Sequence, residues 1–448
     1  MRFRLSEIPG ARLVGPDVAV EGATIDSRLV RGGELFVPVV AGRDGHDFID
    51  HALEAGAAAY VTARTGPGGH PSSRGGPAAA PAAVVADTAS ALADLGRLAR
   101  GRLPDRVVGV TGSTGKTSTK DLLGAVVRRH GPAAVSEASH NNELGLPLTL
   151  VNAPDEASAA VLEMGARGPG HIRWLCAIAR PTVGVVTNVG LSHTEFLGSI
   201  EGVAAAKAEL VEALPASGTA VLNAGDPRVL AMARRTEAAV LTFGVGAGDV
   251  RAAGVRLDEE LRASFTLETP WGGVALRLEA RGAHQAGNAA AAAAAALVLG
   301  VDLAEVAAGL ADATPSRWRM EVGRSPSGTV VLNDAYNANP ASTEAALQAL
   351  AAAPVAGGGR RVAVLGPMLE LGPAATSTMR RCAASDAGLG IEVVAFGTGE
   401  YGLPPAGEAD VDRVLAGLGP GDAVLFKASR AAGLERFALP LLDGSRRW

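Results

Sequence analysis

The segment that most restricts how this chain can fold runs from Arg106 to Arg129 and reads RVVGVTGSTGKTSTKDLLGAVVRR. Arg106 to Thr111 is apolar and rich in β-branched residues, which predicts a buried strand. Ser118 to Arg129 carries a helical pattern. Between them lies a turn built on Gly112 and Gly115. A strand that passes through a glycine turn straight into a helix is half of a βαβ unit and requires a parallel sheet with helices on its faces.

The turn also has a chemistry. Glycines let successive backbone N–H groups close around phosphate oxygens. The helix N-terminus adds partial positive charge, Lys116 adds a full one, and the Thr117 hydroxyl can reach Mg²⁺. Gly112, Ser113, Thr114, Gly115, Lys116, Thr117 and Ser118 are therefore candidate nucleotide-binding residues. The usual phosphate loop has a glycine where Val110 stands, so this is a shortened variant. A tight turn with an incidental lysine is the bland alternative, and the strand–turn–helix setting speaks against it. By itself the turn implies a nucleoside triphosphate and nothing more.

At 448 residues the chain is too long for one ordinary core. The pattern divides into three α/β domains with boundaries near 103 and 314. In 1–103, strands are expected at Gly33 to Val40 and Ala58 to Thr62, with a helix from His46 to Gly56. Thr65 to Ala83 is a low-complexity Gly/Pro/Ser/Ala stretch and reads as a mobile surface loop. A second helix follows from Thr88 to Leu103.

In 104–313, further strands are expected at Ala159 to Glu163, Val183 to Asn188 and Thr219 to Leu222. Val240 to Leu278 reads as antiparallel hairpins with a turn at Trp271-Gly272-Gly273. In 314–448, strands are expected at Thr329 to Asn333, Arg361 to Leu365, Glu392 to Phe396 and Ala423 to Phe426. A helix is expected from Ser342 to Ala353.

Composition bounds the function classes. There are 41 Lys and Arg against 46 Asp and Glu, a net charge of −5, with no long basic run, so no nucleic-acid partner is expected. Gly282 to Val301 is free of charge, but its polar residues and alanines predict a water-soluble helix rather than a membrane span. Met1 to Gly10 has no apolar run and reads as no signal peptide. Cys176 and Cys382 are too few for a disulfide framework and fit a reducing, cytoplasmic setting.

Five stretches make the reading specific. They are TGSTGKTSTK at 111–120, NNELGLP at 141–147, EMGARGPGHI at 163–172, TNVGLSHTEFLGSIEGVAAAKAEL at 187–210 and NDAYNANP at 333–340. Together, and in this order, they resemble the Mur ligase family. DSR at 26–28, GRDGHDF at 42–48 and MLELG at 368–372 resemble the member that adds a dipeptide.

The resemblance implies three domains: a small UDP-substrate domain, a central ATP-binding domain, and a C-terminal Rossmann-like domain that closes over ATP and receives the amine. It implies an ATP-dependent peptide ligase. A carboxylate at the end of a UDP-sugar tripeptide is phosphorylated, and the amine of D-alanyl-D-alanine displaces the phosphate. A carboxylate is a poor electrophile, so it needs that leaving group, and two anions must be held together by cations.

The resemblance also assigns roles. Lys116, His193 and Lys207 would be catalytic. Thr117, Glu163, His193 and Lys207 would hold Mg²⁺, two ions in all, with Lys207 carbamylated so that it offers oxygen instead of a positive charge. Asn288, Arg319, Asp334 and Asn337 would contact ATP, with His284, Tyr336 and Asn339 nearby. Ser27 and Arg28 would hold the UDP group, and Asn141, Asn142 and Glu143 would line the acceptor. Lys427 and Arg430 would meet the dipeptide. No oligomer is required, so a monomer is expected.

Three positions depart from the family pattern. Pro367 stands where an acidic residue is usual, Met379 where a histidine is, and Gly225 where an aspartate is. The first two fall in the expected amine-binding domain. They keep open a paralogous Mur-type amide ligase that uses another acid or amine in specialised metabolism. A silent nucleotide-binding scaffold and a nucleotide kinase are further alternatives. The first sits poorly with Lys116, Thr117, Glu163, His193 and Lys207 all present, the second with the NNELGLP and NDAYNANP segments.

Overall fold

The computed structural model describes residues 1–64, 80–192, 194–372 and 375–445. The fold is α/β throughout. Sheets form in three stretches of sequence. The chain gathers into two compact units. The first is Met1–Gly109, Gly131–Gly165 and Arg173–Thr182. The second is Val110–His130, Ala166–Ile172 and Val183–Trp448.

In the first unit a five-stranded sheet is ordered Arg12–Val14, Ala82–Val84, Ala59–Thr62, Leu35–Phe36, Ala23–Thr24. Its last four strands pair in parallel. The helix Thr88–Gly101 begins where the Asp87 carboxylate accepts the Ser90 N–H at 2.7 Å, a side-chain cap on an otherwise unmet donor. Strands Ala133–Val135 and Ala159–Glu163 also pair in parallel here.

In the second unit Val183–Val186, Thr219–Asn223, Ala239–Val245 and Val250–Leu257 pair successively in parallel. Arg262–Thr269 and Gly272–Arg281 then extend the sheet antiparallel. The helix Lys116–His130 packs against the helix His284–Val298. Every residue from Ala289 to Ala296 is fully buried. Methyl side chains on all faces let neighbouring elements approach closely, and alanine has the best helix propensity. This is the charge-free run of the sequence, and no described helix is long and apolar enough to cross a membrane.

A further five-stranded sheet in this unit is ordered Glu321–Arg324, Val330–Asn333, Ala423–Lys427, Arg361–Leu365, Ile391–Ala395. All but the first pair are parallel. The helix Pro340–Ala352 opens with Asn339 and Ser342 capping each other and with Pro340 in the first turn, where a missing N–H costs nothing.

Several expectations need correction. The strand expected over 33–40 is only Leu35–Phe36, because glycine and proline flank it. The region 240–257 is not a hairpin: Ala239–Val245 and Val250–Leu257 are parallel neighbours. The later turn sits at Pro270-Trp271, and Gly272 and Gly273 already belong to the strand. The helix after the glycine turn starts at Lys116, two residues early. Of the expected loop Thr65 to Ala83, positions 65–79 lie outside the described residues, and Ala82–Val84 is strand. The boundaries near 103 and 314 both fall between elements, after Gly101 and between Ala311 and Glu321.

Candidate active site

The glycine turn is held in shape by residues some 75 positions away in sequence. Ser113 N–H donates to the Asn188 carbonyl at 3.0 Å, and Thr187 N–H donates to the Thr111 carbonyl at 2.9 Å. The Asn188 side chain closes a pair with Thr114: its Oδ1 accepts the Thr114 N–H at 2.9 Å, and its Nδ2 donates to Thr114 Oγ1 at 2.7 Å. Ser113 Oγ donates to the Gly190 carbonyl at 3.0 Å and accepts the Gly190 N–H at 2.9 Å. The loop is therefore preformed, which removes an ordering cost from phosphate binding.

Both glycines are needed here. Gly112 has φ +151°, and an added Cβ would lie 1.7 Å from Thr187 Oγ1. Gly115 has φ +77°, and its Cβ would lie 2.4 Å from Asn288 Oδ1. The same contact places Asn288 against the turn, oriented by its donation to Gln285 Oε1 at 2.9 Å. Asn339 Nδ2 donates to the Ser113 carbonyl at 3.2 Å, so the NDAYNANP segment also meets the turn. Thr117 is buried in the first helical turn.

Two lysines face this region. Lys116 Nζ donates to the Gly112 carbonyl at 2.6 Å. Lys207, on the helix Ile200–Glu212, is 2% exposed. Burial pushes its pKa well below the ordinary lysine value, and the positive charge of Lys116 pushes the same way. Both causes favour the neutral amine, which is the nucleophilic form. Its helix neighbour Glu209 accepts the Gly170 N–H at 2.6 Å.

Farther along the second unit, Lys427 Nζ donates to Asp334 Oδ2 at 2.6 Å and to the Asn337 carbonyl at 2.8 Å. The Met320 N–H donates to Asp334 Oδ1 at 3.0 Å. Lys427 thus orders the loop that carries Asp334 and Asn337. The His284 ring lies within range of Asp334 and Lys427. The packing around it lowers its pKa, although the residue keeps solvent-accessible surface.

Arg319 stacks over Tyr336 at 4.2 Å, and its buried Nε has no hydrogen-bond partner among the described residues. It is flanked by two strained residues, Trp318 at φ +58° and Met320 at φ +55°, a conformation that non-glycine residues adopt rarely. Arg430 stacks over Trp318 at 4.2 Å and pairs with Glu435 at 2.6 Å. Met379 is fully buried in the C-terminal core, and the Pro367 carbonyl accepts the Ser429 N–H at 3.0 Å.

In the first unit, Glu163 ends its strand at 1% exposure. Asn141 Nδ2 donates to Glu163 Oε1 at 2.8 Å, and the Glu163 N–H donates to Ser136 Oγ at 3.1 Å. Asn142 Oδ1 accepts the N–H groups of Leu144 and Gly145 at 3.2 and 2.9 Å, so it shapes the start of the helix Gly145–Val151. Glu143 is engaged as well.

Ser27 is buried. Arg28 is exposed and folds its guanidinium back on Asp26, with Nε and NH2 at 2.9 and 2.6 Å from the carboxylate. That pairing holds the Asp26 carboxyl below the usual carboxylate range. His46 is a buried organiser. Its Nε2 accepts the Ala63 N–H at 3.1 Å, so Nδ1 carries the proton and donates to Asp44 at 2.7 Å.

Magnesium suits the donors present. The Thr117 hydroxyl in the second unit and the Glu163 carboxylate in the first are each hard oxygen donors, the type that Mg²⁺ prefers. Among the described residues no group of three His, Cys, Asp or Glu could hold a metal. His193 lies outside the described residues.

The residues that sequence reasoning left without a role are Thr187 and Asn188. Their signals were a strand ending in polar residues at the edge where α/β ligands bind, and their place at the head of the 187–210 stretch.

Residues 110–296 match the Mur ligase middle domain and 318–430 the Mur ligase glutamate ligase domain. A UDP-N-acetylmuramoyl-tripeptide–D-alanyl-D-alanine ligase of Mycobacterium tuberculosis is 41% identical over 92% of this chain and 90% of its own length. The Bacillus subtilis enzyme of that name is 34% identical over 98% and 97%. The MurF ligase of Thermotoga maritima, solved in complex with ADP, superposes with a TM-score of 0.79 at 30% identity, covering 95% of this chain and 97% of that one. The chain belongs to the Mur ligase family.

Proposed function

We propose that this chain joins D-alanyl-D-alanine to the terminal carboxylate of UDP-N-acetylmuramoyl-tripeptide, with ATP, as a step of peptidoglycan precursor synthesis. The observation that carries this is the similarity to ligases of that name over nearly the full length of both chains. The build is a three-domain one with boundaries near 103 and 314. The enzyme works as a monomer in the cytoplasm.

The chemistry follows from the residues. The turn N–H groups and Lys116 receive the β- and γ-phosphates of ATP, Lys116 exchanging the Gly112 carbonyl for phosphate oxygen. Asn288 sits at the adenine side. Asp334 and Asn337 take the ribose, and Arg319 takes phosphate through its guanidinium fork. Ser27 and Arg28 hold the UDP diphosphate, with Arg28 turning away from Asp26. Asn141, Asn142 and Glu143 line the acceptor peptide, and Lys427 and Arg430 border the dipeptide.

A carboxylate oxygen of the acceptor attacks the γ-phosphorus and ADP leaves. The dipeptide amine then attacks the acyl carbon, phosphate departs with the former carboxylate oxygen, and the amine loses a proton. Thr117, Glu163, His193 and Lys207 hold Mg²⁺, which when bound neutralises the charge that builds up on the phosphates. Lys207, as the neutral amine, adds to CO₂ and releases a proton. This replaces a buried neutral amine by an anionic oxygen ligand.

A ligase for another amine is the second reading, motivated by Pro367 and Met379. The burial of Met379 favours the first reading, because a core position makes no direct contact with substrate. Phosphate release from ATP, measured with the UDP-sugar tripeptide and either D-alanyl-D-alanine or a panel of other amines, tests both. Release with the dipeptide alone supports the first reading, release with other amines the second. No release with any pairing overturns both.

A further inference from the structure

The geometry points to Thr194 as a positioning residue, whose hydroxyl latches the loop Pro367–Gly372 so that the amine substrate meets the nucleotide-binding half in register; this rests on the ligase reading above. Thr194 is buried, and its Oγ1 donates to the Leu371 carbonyl at 2.9 Å. Beside it the Glu195 N–H donates to the Glu370 carbonyl at 3.3 Å.

The loop is bent to accept both bonds. Glu370 has φ +66°, a left-handed conformation that a non-glycine residue keeps only where its surroundings enforce it. Gly372 has φ +57°, and an added Cβ would lie 3.2 Å from Glu195 Cα. On its other side the loop is tied to the segment that would border the dipeptide. Leu369 N–H donates to Ser429 Oγ at 2.9 Å, and Ser429 N–H donates to the Pro367 carbonyl at 3.0 Å. Ser429 lies between Lys427 and Arg430. The loop is thus pinned from two directions. On the Thr194 helix the side-chain pin is the Thr194 hydroxyl, and the Glu195 pin is backbone.

Thr194→Val keeps the β-branched shape and removes the donor, while Thr194→Ser keeps the donor. In the full chain, Thr194→Val should raise the KM for D-alanyl-D-alanine about tenfold, the equivalent of one hydrogen bond in a positioned site. The KM for ATP and for the UDP-sugar tripeptide should stay within about twofold, and Thr194→Ser should restore most of the dipeptide KM. A dipeptide KM unchanged in Thr194→Val, a parallel shift of all three constants, or failure of Ser to rescue overturns the proposal. If Thr194→Val does not fold, Gly372→Ala is read for the same split.

Amide hydrogen exchange without substrate separates this from the ligase reading. Amides 368–372 should exchange faster in Thr194→Val, or in Gly372→Ala, whatever the enzyme turns over. Equal exchange means that no latch exists, even if the wild type is an active ligase. Faster exchange in the variant, together with a wild type that turns over no dipeptide, leaves the latch standing as a loop clamp but removes its role in placing an amine, and so overturns the proposal as stated.

Discussion

The glycine turn at 111–117 and the DSR turn at 26–28 would both take phosphate groups, yet they are built in opposite ways. The first is braced from outside itself. Thr187, Asn188 and Gly190 fix its backbone, and Asn288 and Asn339 meet its glycine and serine. The second is braced by itself: Arg28 spends its guanidinium on Asp26 two residues back, in the open. A preformed site converts contacts into affinity with little ordering cost, whereas a self-paired arginine must exchange one anion for another. The phosphate turn should therefore behave as a rigid receptor and the DSR turn as an adaptable clasp.

The largest expected effect tests the rigid side. Lys116→Ala should lower kcat by at least ~10³-fold, since it removes the full charge aimed at the transferring phosphate. Its thermal midpoint should stay within a few degrees of the wild type, and an unfolded variant would make Lys116 structural instead. Next is Lys207→Ala, with an expected loss of about 100-fold that added formate or acetate partly restores. Unchanged activity removes Lys207 from the site.

A subtler effect is on stability. The pKa of Lys207 in the folded chain lies below the 10.5 of an unfolded one, so between the two values the unfolded chain binds the extra proton. Stability should therefore rise with pH across that window, measured by denaturant unfolding under CO₂-free conditions. Lys207→Met should lack this contribution, and identical slopes in the two proteins would refute it. The smallest effect belongs to the clasp. Arg28→Ala should raise the KM for the UDP substrate about tenfold and leave kcat and the KM for ATP within about twofold. If the KM for ATP moves as much, the two turns are not independent and the contrast between them fails.

What could be read in the sequence was local. The strand, turn and helix around Lys116 announce themselves within two dozen residues, because glycine geometry and hydrophobic period act over that range. The same holds for the alanine helix and for most strands of the C-terminal sheet. The parallel pairing of Ala239–Val245 with Val250–Leu257 was hidden, because strand direction is set by partners far along the chain. So were the Asn188 pair with Thr114 and the Lys427 bond to Asp334, which join residues 74 and 93 positions apart. Arg28 shows the opposite case: its partner is adjacent, but a residue type that suits diphosphate gives no sign of being already engaged. Lys207 read alone is an exposed helix lysine, and only its burial beside Lys116 exposes its unusual chemistry.

The helix His284–Val298 has a consequence for how this sequence can drift. Eight successive alanines are enclosed on every face, and the helix begins at the end that meets the phosphate turn through Asn288. A single-base change in an alanine codon yields Ser, Thr, Pro, Val, Asp, Glu or Gly. All but glycine add atoms where no space is left, and glycine weakens the helix itself. The stretch that looks most like filler is thus the one with the least genetic slack, and purifying selection on nucleotide binding should reach well beyond the residues that touch the nucleotide.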